Sequence, residues 1–339
     1  MKFLENSRLF LIGFLLIAGM LLVSGCNVPK AGESGQKIRI AYQGEVYEAP
    51  LFVAAENGYF KESGLEVELV KADFPSSIQQ LSRREIHGLT CDYRIFKALE
   101  QGLDLKLAAG LHSECVQIVS AAKSGLTSVK DLKGKTIGTD AEGNAGMVIG
   151  SSVLESAGLD LKKDIQWKIY SSDQLEDALF KGEVDAISIP EQADPETAEE
   201  NKDLRVLFGS SSETNDQSLG AYRHFYASFV GLEGGFLNER PEQAFALIRA
   251  WLKGAQWMSE NQSEALELVR EKKYVEGDAN QIVQTAEDYM WMPGVRNAKE
   301  NISTYLKQQK AMGLLSNDLN EKEWLNQICS QILPDFSRS

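Results

Sequence analysis

Carboxylates crowd the short loops that follow the alternating apolar runs of this chain: Glu45, Glu48, Asp73, Asp92, Glu114, Asp140, Glu142 and Glu191. The basic residues in the same stretches are Arg94 and His112. An anion buried without compensating partners is costly, so this imbalance favours a neutral or amine-bearing organic solute over a simple oxoanion. For any single acid a helix cap or a solvated rim is the competing reading, and only the set as a whole carries weight. The candidate ligand-binding residues are Gln43, Glu45, Tyr47, Phe74, Ser76, Cys91, Asp92, Tyr93, His112, Ser113, Asp140, Asn144 and Glu191. In this reading the carboxylates hold an amine or hydroxyls, Asn144 donates to a carbonyl or hydroxyl, and Tyr47, Phe74 or Tyr93 covers an apolar face. The stretch Asp140-Ala-Glu-Gly-Asn-Ala-Gly146 permits close backbone approach but matches neither a Walker nor a Rossmann pattern, so nothing here speaks for a nucleotide.

A second constellation involves histidine and cysteine. His87 and Cys91 lie four apart, and His112 and Cys115 three apart. Four residues of strand span about 13 Å, too far for one metal ion to bridge. His112 and Cys115 would chelate only across a sharp turn, with Asp92 or Glu114 completing the set. A Cys91–Cys115 disulfide is a further option and needs Cα atoms within about 7 Å. The favoured reading makes His112 and Ser113 hydrogen-bonding ligand contacts at a hinge mouth, with Cys91 and Cys115 as small residues beside the cleft and Cys329 in the core. Neither a metal nor a cofactor is expected. No Ser-His-Asp set can be assembled from His87, His112 and His224, and abundant acids without geometry do not make a catalytic site.

The elements that must position these residues alternate. Strands are expected at Ile38–Gln43, Leu65–Val70, Glu85–Thr90 and Leu105–Ala109, separated by helices over Pro50–Asn57, from Ser76, and over Tyr93–Gln101. A second run follows: strands at 116–121, 135–139, 165–170 and 184–189, with helices over 144–157 and 174–180. Strand–helix alternation with short connections predicts two α/β units built on mainly parallel sheets. After an acidic loop (191–201) and strands near 204–208 and 225–230, helices are expected over 241–260, 263–272, 281–291 and 298–312. In open α/β sheets ligands lie beyond the carboxyl ends of the strands, which nominates the loops 43–48, 73–77, 91–94, 111–115, 140–145 and 190–192.

The first residues have a different character. An apolar run from Leu9 to Val23 follows Lys2 and Arg8. At about 15 residues it is shorter than the roughly 20 needed to span a bilayer core, and it reads as a signal peptide over residues 1–25. Its end, Leu22-Val-Ser-Gly-Cys26, resembles the lipobox of bacterial lipoproteins, which implies lipidation of Cys26 followed by a flexible tether over 26–36. The resemblance places the body at the cell membrane, anchored by lipid alone and facing the extracytoplasmic side. The net charge of −14, from 49 acidic and 35 basic residues, argues against nucleic acid or an anionic membrane surface as a partner.

Four phrases in order resemble one family. They are Asn57-Gly-Tyr-Phe-Lys-Glu-Ser-Gly-Leu-Glu-Val-Glu-Leu69, Ser128-Val-Lys-Asp-Leu-Lys-Gly-Lys-Thr-Ile-Gly138, Leu179-Phe-Lys-Gly-Glu-Val-Asp-Ala186 and Glu271-Lys-Lys-Tyr-Val-Glu-Gly-Asp278. Together they look like the nitrate/sulfonate/taurine-type substrate-binding proteins of ABC importers, over nearly the whole chain beyond the tether. The resemblance implies a type II periplasmic-binding fold with C-terminal helices packed on lobe one. Lobe one would be 37–112 plus 225–339, lobe two 113–224, and the ligand would lie in the cleft between them. It implies a monomeric, non-enzymatic protein that delivers a small-molecule ligand to permease and ATPase subunits. The Pro190-Glu191-Gln192 loop departs from the aromatic-bearing loop common in that family. Enzymes of cofactor or pyrimidine metabolism on related folds are the alternative, as is a metal or metal-complex binder using His112 and Cys115. The chain lacks the cysteine-rich run of the known pyrimidine synthase.

Overall fold

The computed structural model describes residues 37–114, 116–190, 203–210, 225–275, 282–283, 286, 289–295 and 298–329. Cys26, Cys115, Glu191 and His224 lie outside the described residues. One sheet contains β1 (Ile38–Tyr42), β2 (Val67–Lys71), β3 (Gly88–Cys91) and β4 (Leu105–Glu114). The other contains β5 (Val116–Ala121), β6 (Lys135–Thr139), β7 (Ile165–Ile169), β8 (Ala186–Pro190) and β9 (Leu204–Gly209). The chain then returns to the first sheet with β10 (Tyr226–Glu233) and β11 (Tyr289–Gly294). The spatial orders are β11-β4-β10-β3-β1-β2 and β7-β6-β8-β5-β9.

Parallel pairing is confined to fewer neighbours than the strand–helix alternation suggests. β1 pairs parallel with β2 and β3, and β6 with β7 and β8. β10 runs antiparallel between β3 and β4, β11 runs antiparallel to β4, and β5 is antiparallel to β8 and β9. Local periodicity predicts parallel neighbours within consecutive strand–helix–strand units. It carries no information about strands that enter a sheet after a long excursion.

The helix expected over 281–291 is corrected at its C-terminal end only: Ile282, Val283 and Ala286 are helical. The stripe Ile282, Ala286 and Tyr289 has helical spacing, yet Tyr289–Gly294 forms β11, with Trp291 opposite His112 and Met290 opposite Ser113. Aromatic residues suit a pleated edge, and β4 offers a free row of backbone groups there.

Helices cover both faces of the first sheet. The helix Pro241–Glu260 buries Leu247, Ile248, Trp251, Leu252 and Ala255 in one core with Leu51, Phe52, Val53 and Ala54 of the helix Ala49–Glu56. The two helices approach closely at Gly254, where a Cβ would lie 2.4 Å from the Pro50 carbonyl oxygen and 2.9 Å from the Ala54 Cβ. Only hydrogen fits there.

The helix Ala298–Met312 packs on the first sheet and also reaches the second unit. Asn301 Oδ1 accepts from the Tyr226 N–H at 2.9 Å, and Gln309 Nε2 donates to the Tyr93 carbonyl at 3.2 Å. From the same helix Gln308 Nε2 donates to Glu155 at 2.8 Å, and Met312 Sδ accepts from Ser151 at 2.9 Å, both on the helix Ala145–Ser156. Among the described residues no helix is long and apolar enough to cross a membrane.

Gly254 supplies a direct test of this packing. Gly254→Val is expected to lose about 2 kcal/mol or more, because the overpacked helix pair must move apart. Urea denaturation of the two proteins measures it; an unchanged midpoint would mean that the helices do not meet as described.

Candidate functional site

A cavity of about 360 Å³ opens beyond the carboxyl ends of β1, β3 and β4. Gln43, Glu45, Tyr47, Asp92, Arg94, His112, Ala227, Ser228 and Tyr289 line it from the first sheet, and Asp140, Ala141, Asn144, Ala145, Gly146 and Ser172 from the second unit. The strand-end rule therefore selects the right end of both sheets.

The loop after β1 is organised from beneath. Glu48 turns away from the cavity and is buried, accepting from the backbone N–H groups of Gln43, Gly44 and Glu45 at 2.9, 2.8 and 3.0 Å. On the cavity side Gln43 Nε2 donates to the Tyr47 hydroxyl at 2.6 Å. Burial, then the Glu48 and Asp92 carboxylates, holds the Tyr47 phenol well above its ordinary value, so it remains protonated.

After β3, Asp92 and Arg94 form a two-pronged pair. Arg94 Nε donates to Asp92 Oδ1 at 2.9 Å and Nη2 donates to Oδ2 at 2.5 Å, while the guanidinium lies 4.9 Å above the Phe74 ring. Burial works against the Arg94 charge, but the Asp92 carboxylate outweighs it and the guanidinium is held above its ordinary value. Arg94, the one arginine of the cleft wall among the described residues, is thus engaged by its own neighbour.

His112 stands on β4 with Nδ1 only 2.5 Å from Ser228 Oγ on β10. Its ring packs among Tyr47, Tyr289 and Trp291, at centroid distances of 6.1, 4.4 and 5.4 Å. Burial pushes the imidazole down to about 3, so it is neutral at physiological pH. A serine beside a histidine invites comparison with a nucleophile and its base. An imidazole this weakly basic does not hold the proton such a serine must give up, which leaves the pair as a hydrogen-bonding wall.

The second unit contributes the turn before the helix Ala145–Ser156. Asn144 caps that helix, its Oδ1 accepting from the Met147 N–H at 2.8 Å, and its amide also donates to Asp140. Ser172 donates to the other Asp140 oxygen at 3.4 Å. Gly146 packs against β8 rather than waiting for a ligand: a Cβ there would lie 2.6 Å from the Ser188 carbonyl oxygen.

Of the candidate residues, Gln43, Glu45, Tyr47, Asp92, His112, Asp140 and Asn144 converge on the cavity. Five others do not. Phe74 lies under Arg94, and Ser76 donates its N–H to the Asp73 cap. Cys91 is a buried free thiol bonded to the Phe229 carbonyl, and Tyr93 is fully buried against Phe96, Phe229 and Tyr305. Ser113 follows His112 on β4 and is buried outside the cavity lining. The pleat and the core claim Cys91, Tyr93 and Ser113, while Phe74 and Ser76 lie half-buried in the first turn of the helix Phe74–Ser82.

Among the described residues no cluster of three or more His, Cys, Asp or Glu side chains is arranged to hold a metal. The Cys115 and Glu191 expectations lie outside the described residues. Sequence reasoning omitted Arg94, Ser172, Ser228 and Tyr289 from the site. Ser172 opens the helix that follows β7 and could have been nominated by the strand-end rule. Ser228 and Tyr289 arrive on returning strands and carried no local signal.

Two sheets, two units and a polar cleft where strand ends meet define the periplasmic-binding-protein architecture. A family model described as NMT1/THI5 like matches residues 45–265, and the chain belongs to that family. It is 25% identical to a formylaminopyrimidine-binding protein of Halalkalibacterium halodurans, over 75% of this chain and 76% of that one. It is 27% identical to a putative thiamine biosynthesis protein of Haemophilus influenzae, over 51% of this chain and about half (54%) of that relative's length. In three dimensions it is similar to the periplasmic aliphatic sulphonate-binding protein of Escherichia coli, with a TM-score of 0.66 and 16% identity, over 88% of this chain and 93% of that one. At that identity the likeness shows the fold.

Glu48 generates a pH prediction. Burial pushes its carboxyl up to about 7 from an ordinary 4.5, against the backbone hydrogen bonds that pull it down. The folded protein therefore holds this proton more tightly than the unfolded chain. Stability from this group is greatest below pH 4.5 and falls as pH rises to about 7, by up to ~3 kcal/mol. Glu48→Gln should flatten that slope in urea denaturation at pH 5, 6, 7 and 8; a parallel slope in both proteins would show that Glu48 does not titrate in this window.

Proposed function

We propose that this chain is the extracytoplasmic solute-binding component of an ABC importer, and that its cleft takes an uncharged aminopyrimidine or a close heteroaromatic relative. The observation that carries the ligand class is the charge inventory of the cavity wall. Three carboxylates, Glu45, Asp92 and Asp140, face it; Arg94 is held by Asp92, and His112 is neutral. Among the described lining residues an oxoanion would meet net negative charge, with Arg94 already engaged by Asp92. An aminopyrimidine presents amine donors to carboxylates and ring nitrogens to hydroxyl or amide donors, and its flat ring suits the aromatic faces of Tyr47 and Tyr289. The similarity to a formylaminopyrimidine-binding protein over three quarters of both chains supports the same class.

Capture without chemistry fits the wall, because its serine–histidine pair is too weakly basic to activate a nucleophile. The lobes, 37–112 plus 225–339 and 113–224, would close on the ligand about their crossovers, with Cys26 lipidated and the body tethered outside the membrane.

Calorimetry with a 4-aminopyrimidine, its N-formylaminomethyl derivative, taurine, alkanesulfonates and nitrate tests the ligand class. Micromolar binding is expected for a pyrimidine and none for the anions. Asp140→Ala should weaken it by about tenfold or more, because a buried donor loses its acceptor. A sulfonate or nitrate that binds while every pyrimidine fails would overturn the reading. For the anchor, metabolic labelling with a fatty acid should tag the wild-type protein and leave Cys26→Ala unlabelled; equal label in both would exclude lipidation at this cysteine.

A further inference from the structure

The geometry points to Glu48 as the built-in occupant of an anion nest: its carboxyl group fills a backbone nest in the β1 loop, sets Gln43 and Tyr47 for the ligand, and denies that nest to free oxoanions. The inference deepens the binding reading above and rests on it for the ligand arm alone.

Three successive N–H groups, of Gln43, Gly44 and Glu45, converge on one oxygen, Glu48 Oε2, at 2.9, 2.8 and 3.0 Å. The second oxygen, Oε1, takes a further contact from the Gln43 N–H at 3.1 Å. Successive backbone donors aimed at one point form the concavity that binds phosphate and other anions in many proteins. Here the occupant comes from the chain itself, from a residue that is 1% exposed.

The nest depends on Gly44. Its φ of +102° turns the loop so that the donors converge, and a Cβ there would lie 3.1 Å from the Tyr274 carbonyl oxygen and 3.5 Å from Lys71 Nζ. On the opposite face of the same turn, Gln43 and Tyr47 are joined across 2.6 Å and line the cavity. Glu48 is not part of the cavity lining and meets it only through the backbone N–H groups of Gln43 and Glu45. It is a positioning residue, acting on the ligand through the loop that it ties down.

The consequence for specificity follows from occupancy. A fold that also serves sulphonate binding in a distant structural neighbour has, in this chain, its β1-loop donors already satisfied. Removing the carboxylate would expose three converging donors and leave a hole of about the shape of a small planar anion.

The test uses the unlipidated protein in three forms, wild type, Glu48→Ala and Glu48→Gln, with formate, acetate and nitrate as probes. Thermal melts at pH 8, where Glu48 is ionised, with 100 mM sodium formate or nitrate against matched sodium chloride, should raise the midpoint of Glu48→Ala by about 2 °C or more and leave wild type and Glu48→Gln unmoved. In the ligand arm, Glu48→Ala should bind the aminopyrimidine at least about tenfold more weakly, formate should recover most of that loss, and Glu48→Gln, which keeps an acceptor oxygen in place, should stay within about threefold of wild type. Equal anion response in all three proteins, or none in a folded Glu48→Ala, overturns the proposal. Should Glu48→Ala fail to fold, refolding yield with and without formate replaces the melt, and no rescue again overturns it. The anion arm needs no pyrimidine, so a wrong ligand class would appear as silence in the ligand arm of wild type while the formate result still decides the role of Glu48.

Discussion

The placement of β10 between β3 and β4 is the constraint on which the rest of the molecule depends. All eight of its residues are buried, and its backbone pairs on both sides, with Phe229 opposite Cys91 and Ser228 opposite His112. A central strand buries its polar backbone only if both neighbours supply partners, so β3 and β4 cannot close on each other. The strand leads in from the part of the chain that follows the second sheet, and its second and third residues, Ala227 and Ser228, therefore arrive at the cavity. Tyr226 secures the entry. Its ring occupies the space where a side chain on Gly110 would stand, within 2.4 Å of a Cβ built there, and its N–H is taken by Asn301.

Around that frame several carboxylates in and beneath the cleft are engaged by neighbouring groups of the protein. Glu48 is met by backbone N–H groups, Asp92 by Arg94, and Asp140 by Asn144 and Ser172. Each pairing is local, within a loop or between the ends of two adjacent loops. Side chains held this way lose little further freedom on binding, so less of the interaction with a ligand is spent on ordering them. The acceptors that remain turned to the cavity define a polar wall that suits donors.

The helix Ala298–Met312 ties the two units in a different manner. Its contacts to the first sheet are a buried amide and a packed aromatic cluster, Asn301 with Tyr226 and Tyr305 with Tyr93. Those to the second unit are made by long, adaptable side chains, Gln308 to Glu155 and Met312 to Ser151. Unbranched side chains of this kind adapt to their surroundings at low cost.

The sequence by itself determined the alternation of strands and helices, the loops 43–48, 91–94, 111–115 and 140–145 that reach the cleft (73–77, also nominated, does not), and the family to which the phrases from Asn57 to Asp278 point. These are legible because period-two and helical spacing, caps such as Asp73 and Asn144, and strand-end loops are local properties. The acidic bias of the cleft was legible as well, since Glu45, Asp92 and Asp140 line it. Tertiary structure alone decided which members of each loop face the cavity. Glu48 and Tyr93 have the chemistry of site residues, yet one is drawn under its loop by three N–H groups and the other into an aromatic core. It also decided that Tyr289 is in a strand, because the partner it needs, β4, lies some 175 residues earlier in the chain, as in the pairing of Tyr289 with Glu114. A contact across that separation leaves no mark on local spacing, and the same holds for Ser228 beside His112.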